Sequence, residues 1–207
     1  MNIKTVAVTG RSGSGKSSVA NYYKRKGYTV LDGDEAARII TETGSPCLKQ
    51  LAAAFGKDIL DKKGSLRRKE LANRAFLTQE SAKKLTDITH PAIVQILLSG
   101  AAAAQARGEK IVFVDGAVIV GAMFEKYCDD IIVVSANERV QLSRIMIRDN
   151  ISKEAARERL SAQMSDDELR AAADYIIENN TTPQNLEKQA QGVLERLLDK
   201  YEKEQCH

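Results

Sequence analysis

Eight residues near the start of the chain, Gly10-Arg11-Ser12-Gly13-Ser14-Gly15-Lys16-Ser17, have the spacing GxxxxGKS and follow the apolar run 3–8. A glycine-rich turn between a strand and a helix can aim successive backbone N–H groups at phosphate oxygens, beside the positive end of the helix. Gly10, Ser12, Gly13, Ser14, Gly15 and Ser18 are the expected cradle. Lys16 would reach the β- and γ-phosphates, and the Ser17 hydroxyl would serve Mg²⁺. Val19, Tyr22 and Tyr23 then recur at helical spacing, and Gly27 after Lys24-Arg25-Lys26 supplies a stop.

Further candidates sit where other apolar runs end. Leu31-Asp32-Gly33-Asp34 closes a second run, and in an extended chain Asp32 and Asp34 share one side. Phosphoryl transfer to a hydroxyl uses one carboxylate to take the proton and another to steady the metal's water shell. Arg38, four residues on, can grip an anionic acceptor; the competing role is Asp34 as the cap of a helix over 35–40. Asp115 ends Ile111-Val112-Phe113-Val114, a position that can hold Mg²⁺ through water, although an Asp before Gly116 also suits a turn. Arg144 and Arg148 lie one turn apart on a helix expected over 137–150. Like charges there repel by about 0.2–0.5 kcal/mol unless an anion lies between them, whereas solvated surface arginines are the plain alternative. His90-Pro91 is one of two histidine positions; Pro91 suits the first turn of a helix, and a structural histidine remains open.

These residues need elements to hold them. β-Branched apolar runs at 3–9, 28–31, 110–115 and 131–135, and a weaker one at 175–177, predict buried parallel strands separated by helices. That order implies a right-handed α/β layer sandwich, which binds ligands at the carboxyl ends of its strands. About 75 residues without a strand pattern separate the second and third strands, too many for an ordinary crossover, so a helical substrate lobe is expected. Residues 92–106 read as a buried helix, the charged segment 151–167 as a mobile helical cover, and 182–204 as a capped helix on the sheet.

With 31 basic and 28 acidic residues the net charge is +3, too balanced to argue for a nucleic-acid partner. Cys47, Cys128 and Cys206 have neither metal-site nor disulfide spacing, which points to a reducing cytosol. No export segment or bilayer-length apolar stretch is found, so a cytoplasmic protein without a membrane partner is expected.

Taken in order, several segments resemble the dephospho-coenzyme A kinase family. They are the GxxxxGKS loop, Asp32-Gly33-Asp34 with Arg38, Phe55-Gly56-Lys57, Gly64-Ser65-Leu66 with Arg68 and Leu71, and 88–93. The series continues with 141–149, Ala162-Gln163-Met164-Ser165 and 173–179. The resemblance implies a P-loop NTPase fold, a three-layer α/β/α sandwich with a mainly parallel sheet. One domain would comprise a core (1–33, 108–148, 168–207), a helical coenzyme A lobe (34–107) and a small lid (149–167). It implies transfer of the ATP γ-phosphate to the ribose 3′-hydroxyl of dephospho-coenzyme A, with Mg²⁺; the sequence does not give the oligomeric state, and a monomer is the favoured expectation.

By position, Asp34 would be the base, with Lys16 and Arg144 catalytic beside it. Asp32, Arg38, Arg68 and His90 would face the acceptor, Arg144 and Arg148 would close on the phosphates, and Asn179 would lie at the adenine side. Ser17 and Asp115, the latter through water, would serve the metal. Two departures stand out. Arg11-Ser12 replaces a commoner Gly-Ile, and Asp115 is followed by Gly-Ala-Val-Ile-Val-Gly-Ala-Met-Phe-Glu in place of Pro-Leu-Leu-Phe-Glu. The second change puts either Gly121 at the glutamate position or the glutamate at Glu125. A kinase of another nucleotide or small metabolite, and a nucleotide-binding regulator with weakened catalysis, are the alternatives.

Overall fold

The computed structural model describes residues 3–116 and 119–205. Ala117 and Val118, within the atypical run after Asp115, and Cys206 lie outside the described residues. The described chain divides into two compact units: one holds the chain up to Leu31 and from Ala104 onward, the other Asp32–Ala103.

The first unit is built on a five-stranded sheet of order β2-β3-β1-β4-β5. Its strands are β1 (Lys4–Thr9), β2 (Val30–Asp32), β3 (Ile111–Asp115), β4 (Asp130–Ser135) and β5 (Tyr175–Glu178). The ladders β1–β3, β1–β4 and β4–β5 are parallel, with Val8 opposite Asp115 and Ser135 opposite Glu178. Parallel register brings the carboxyl ends of these strands together, as the apolar runs require. Val6, Val8, Ile132 and Val134 pack with Val19, Tyr22 and Tyr23 of α1 (Lys16–Arg25). Leu186, Val193, Leu194 and Leu197 of α9 (Pro183–Gln205) join the same cluster. The Tyr23 ring stacks on Phe113 at 4.1 Å, which fixes α1 and the loop before it against the sheet.

In the second unit α2 (Gly33–Ile39), α3 (Pro46–Phe55), α4 (Arg68–Ala75) and most of α5 (Gln79–Ala106) have their own core. Ile40, Leu51, Ile59 and Leu71 are buried there with Ile88 and Ile93 packed against them; each such side chain contributes roughly 1.5–3 kcal/mol. Local chemistry sets the boundaries of α3. Ser45 Oγ accepts from Leu48 N, Pro46 opens the helix, and Gly56 ends it at φ 100°.

Two local expectations differ from the structure. Pro91 does not start a helix; it lies on the exposed side within the 28-residue α5. The apolar residues Leu85, Ile88, Ala92, Ile93 and Ile96 continue the buried stripe past it, so packing outweighs the one lost backbone bond. Nor do Asp32 and Asp34 share a side of an extended chain. Asp32 is the N-cap of α2, its Oδ1 accepting from Asp34 N at 2.8 Å and Glu35 N at 3.1 Å. A short carboxylate beside free N–H groups turns the chain into a helix two residues earlier than a strand continuation would, and Asp32, not Asp34, is the cap.

Candidate active site

Thr9 ends β1 and the glycine-rich loop runs from there into α1. Gly13 (φ 76°) and Gly15 (φ 98°) take left-handed conformations that other residues rarely adopt. Space forbids a side chain as well: a Cβ on Gly13 would sit 2.6 Å from the Gln141 carbonyl oxygen, and one on Gly15 would fall on Asn179 Nδ2.

Two side chains from other elements hold the loop's carbonyls. Arg144, on α6 (Glu138–Asp149), donates through Nη1 to the carbonyls of Gly13 (3.1 Å) and Ser14 (3.3 Å). Its Nη2 donates to the main-chain and side-chain oxygens of Asn179, both at 3.3 Å. Asn179, buried at the end of β5, donates from Nδ2 to the Ser14 carbonyl at 2.7 Å and is itself fixed by its N–H to Ser135 O at 2.8 Å. With the carbonyls bound on that side, the N–H groups of Gly13, Gly15, Lys16 and Ser17 donate to no described residue. A turn arranged this way is an anion cradle.

Lys16 Nζ lies 2.7 Å from Asp115 Oδ1, and both side chains are mostly buried. The Lys16 ammonium, the Ser17 hydroxyl and the Asp115 carboxylate thus belong to adjoining positions of α1 and β3, and Ser17 is exposed. Beside them an open cavity of about 390 Å³ is lined by Gly15, Ser18, Arg144, Asn179, Thr181 and Pro183. In the sequence Thr181 and Pro183 carry only the signal of a helix start, and nothing in their spacing places them at a cavity.

Arg144 and Arg148 have different partners in the structure. Arg148 bonds Asp149 at 2.8 and 2.9 Å, and Arg159 binds the same carboxylate. The Arg148 hydrogen bond holds the Asp149 carboxyl below its ordinary pKa, so the local repulsion is met by an acid on the same helix end. The charged segment expected as a cover forms α7 (Lys153–Ser161) and α8 (Asp166–Ala171), the latter opened by a Ser165–Glu168 capping box. In the atypical run, Ile119 packs on Gly116, Phe124 is buried, and Glu125 accepts from Gly121 N at 2.6 Å.

Asp34, Arg38, Arg68 and His90 all lie in the second unit. Asp34 and Arg38 are exposed on α2, and His90 is half-buried on α5. Arg68 donates to Thr41 Oγ1 at 3.1 Å and borders a largely apolar cavity of about 200 Å³ with Leu71, Phe76 and Ile93; Thr89 lines it and His90 does not. Among the described residues no cluster of His, Cys, Asp and Glu could by itself hold a metal ion, and no helix is long and apolar enough to cross a membrane.

A parallel sheet with a GxxxxGKS loop leading into α1 and the loop carbonyls bound from α6 and β5 defines a P-loop kinase fold. Solved structures agree. A Thermus thermophilus protein superposes with TM-score 0.83 at 28% identity, covering 95% of this chain and 99% of that one. A dephospho-CoA kinase from Campylobacter jejuni gives 0.68 at 26%, covering 93% and 96%. The family model for dephospho-CoA kinase matches residues 4–185. The dephospho-CoA kinase of Corynebacterium diphtheriae is 36% identical over 97% of this chain and all of its own length; that of Listeria innocua is 37% identical over 95% and 98%. The chain belongs to the dephospho-CoA kinase family, transferases that phosphorylate dephospho-CoA in coenzyme A synthesis.

Proposed function

We propose that this chain moves the γ-phosphoryl group of ATP to the ribose 3′-hydroxyl of dephospho-CoA, with Asp34 as the proton acceptor. The binding of the Gly13 and Ser14 carbonyls by Arg144 and Asn179 supports this most directly, because it dedicates the opposite face of the loop to an anion. Lys16 stabilises charge on the transferring group, and Arg144 does so from α6 while shaping the loop. The cavity by Asn179, Thr181 and Pro183 receives the nucleoside end, with Arg144 in its wall.

The oxygen donors Ser17 Oγ and Asp115 Oδ suit Mg²⁺, which keeps several waters and leans on substrate phosphates rather than on a closed protein cage. Bound there, Mg²⁺ would neutralise charge on the β- and γ-phosphates. Asp115 then serves the metal's water shell, while Lys16, its partner at 2.7 Å, serves the phosphates.

In the second unit, Arg38 and Arg68 offer positive charge to the acceptor's phosphates, and the cavity beside Arg68 suits its uncharged arm. Asp32 orients Asp34 by holding its backbone N–H. The whole chain would act as one kinase domain, with 34–107 as acceptor lobe and 149–167 as lid, in the cytoplasm and as a monomer.

Incubation with ATP, Mg²⁺ and a panel of hydroxyl acceptors tests this. Dephospho-CoA should be converted to coenzyme A with one ADP formed per product. Turnover on another acceptor only, or ATP binding with no transfer to any, overturns it.

A further inference from the structure

The first two variable residues of the loop, Arg11 and Ser12, bind the end of α7 and the segment that follows it; Ser12, expected in the cradle, has its N–H engaged there. Arg11 donates from Nη2 to the Leu160 carbonyl at 2.6 Å. Ser12 N donates to Gln163 Oε1 at 2.9 Å, and Gln163 Nε2 donates back to Ser12 Oγ at 3.2 Å. Three hydrogen bonds therefore join chain positions about 150 residues apart, and two of them come from a single amide that fits both the donor and the acceptor of Ser12.

The far end of the same segment is also fixed. Asp166, the first residue of α8, accepts from Ser135 Oγ at 2.8 Å, and Arg170 donates to Ser135 Oγ at 2.9 Å, both at the carboxyl end of β4. Residues 160–170 thus span from the loop to the strand ends. Upstream, α7 carries Lys153, Arg157 and Arg159, which are exposed. The Arg11 contact is incompletely compensated, since its buried Nε has no partner among the described residues. A bond that leaves a buried donor unmet adds little net stability, so it can be exchanged.

We propose that Arg11 and Gln163 are positioning residues: a two-point strap through which the α7–α8 segment sets the shape of the first turn of the loop, and through which nucleotide binding orders that segment. This rests on the loop being the ATP site. Neither side chain touches the phosphates; each acts through Ser12 and the Leu160 carbonyl. By linkage, whatever favours the strapped segment favours nucleotide, and nucleotide favours the strapped segment.

The test uses the full chain with Gln163→Met, which keeps the volume and removes both bonds, Arg11→Ala, and Arg11→Lys, which retains one cationic donor. Steady-state kinetics, calorimetric titration with ATP and hydrogen exchange of the 151–163 peptide are the readouts. Gln163→Met and Arg11→Ala should each raise KM and Kd for ATP about tenfold while KM for dephospho-CoA stays put. ATP should slow exchange in 151–163 in the wild type and in Arg11→Lys, and fail to do so in the two disrupting variants. An unchanged ATP affinity, an equal rise for both substrates, or ATP protection that survives in both variants overturns the strap. Absence of ATP binding by the wild type would instead refute the nucleotide site itself, and so separates the two failures. Should Gln163→Met not fold, the Arg11→Ala and Arg11→Lys pair decides the question by the same measurements.

Discussion

The two ends of the sheet differ in the buried polar atoms they leave unmet. At the amino ends, acids are matched. Buried Asp130, opening β4, receives Lys200 Nζ at 2.7 Å and Tyr201 Oη at 2.5 Å, and Asp129 receives Lys4 Nζ at 3.1 Å and Thr5 N at 2.8 Å. At the carboxyl ends, Thr9 Oγ1, Arg11 Nε, Ser14 Oγ and Gln141 Oε1 are buried without a partner among the described residues. An unmet buried polar atom costs about 1–3 kcal/mol, so the chain tolerates at one end what it avoids at the other. That is the pattern expected where one end serves stability and the other the proposed ligand site. Substitutions at the carboxyl ends should therefore move rate and affinity, and those at the amino ends should move stability.

The largest effect is expected just past β2. Asp34→Asn keeps shape and removes a proton acceptor, so kcat should fall by about 10²–10⁴ with little change in ATP affinity. Single-turnover rates and calorimetry would check it; a rate near wild type removes Asp34 from the chemistry. Next comes Lys16→Ala, for which turnover should fall by about 10²–10³ through lost charge stabilisation at the phosphates. Its substitution also strips Asp115 of its cation, so some loss of thermal stability should accompany it. Retained activity would put the two ends of the sheet on an equal footing and defeat the contrast.

Much of the carboxyl-end architecture was legible in the residues themselves. The strand runs fell within two residues of the observed strands because β-branched apolar stretches have few other uses in a buried parallel sheet. The helix expected over 137–150 is observed as α6 with Asn137 and Asn150 as its caps. Where local signals competed, the sequence misled: Asp34 offered itself as a cap beside an extended Asp32, yet Asp32 is the cap, and Pro91 suited a helix start, yet it rides inside a helix stabilised by packing. The hold of Arg144 and Asn179 on the loop, the partnership of Arg148 with Asp149, and the Arg11–Leu160 and Ser12–Gln163 bonds are tertiary choices between several available partners. Nothing in spacing selects among them. Gln163 stood inside a segment already singled out by resemblance, yet its role needed the fold.

The third prediction belongs to the amino ends. Burial pushes the Tyr201 phenol far above its ordinary range, with Asp130 adding to the shift, so Tyr201 remains a hydrogen donor at physiological pH. Tyr201→Phe leaves the Asp130 carboxylate with Lys200 alone. Unfolding free energy should drop by about 1–3 kcal/mol, with kcat and both KM values unchanged. Urea melts and steady-state rates together check this. A change in rate without a change in stability would contradict the division of labour between the two ends.

The smallest effect, and the one with a sign fixed by titration, involves Glu109 just before β3. Its carboxylate accepts from Thr29 N (3.2 Å), Thr29 Oγ1 (2.8 Å) and Arg107 Nε (3.0 Å), joining the chain before β2 to the chain before β3. Burial alone would raise its pKa, but the Thr29 and Arg107 hydrogen bonds outweigh that and leave it below the ordinary glutamate value. A depressed folded-state pKa means that the unfolded chain takes up the proton more readily. The stabilisation is therefore complete above the unfolded value of about 4.3 and is lost as pH falls through the lower folded value. Glu109→Gln should accordingly be less stable than wild type near neutral pH, and the two melting curves should converge as the pH is taken down through the acid range. Convergence on raising the pH instead would mean that the bonds at this carboxylate favour its neutral form. At the carboxyl ends such a change would register in turnover; here kcat should follow the same pH profile in both proteins, because Glu109 stands just before β3, at the opposite end of that strand from Asp115 and Lys16.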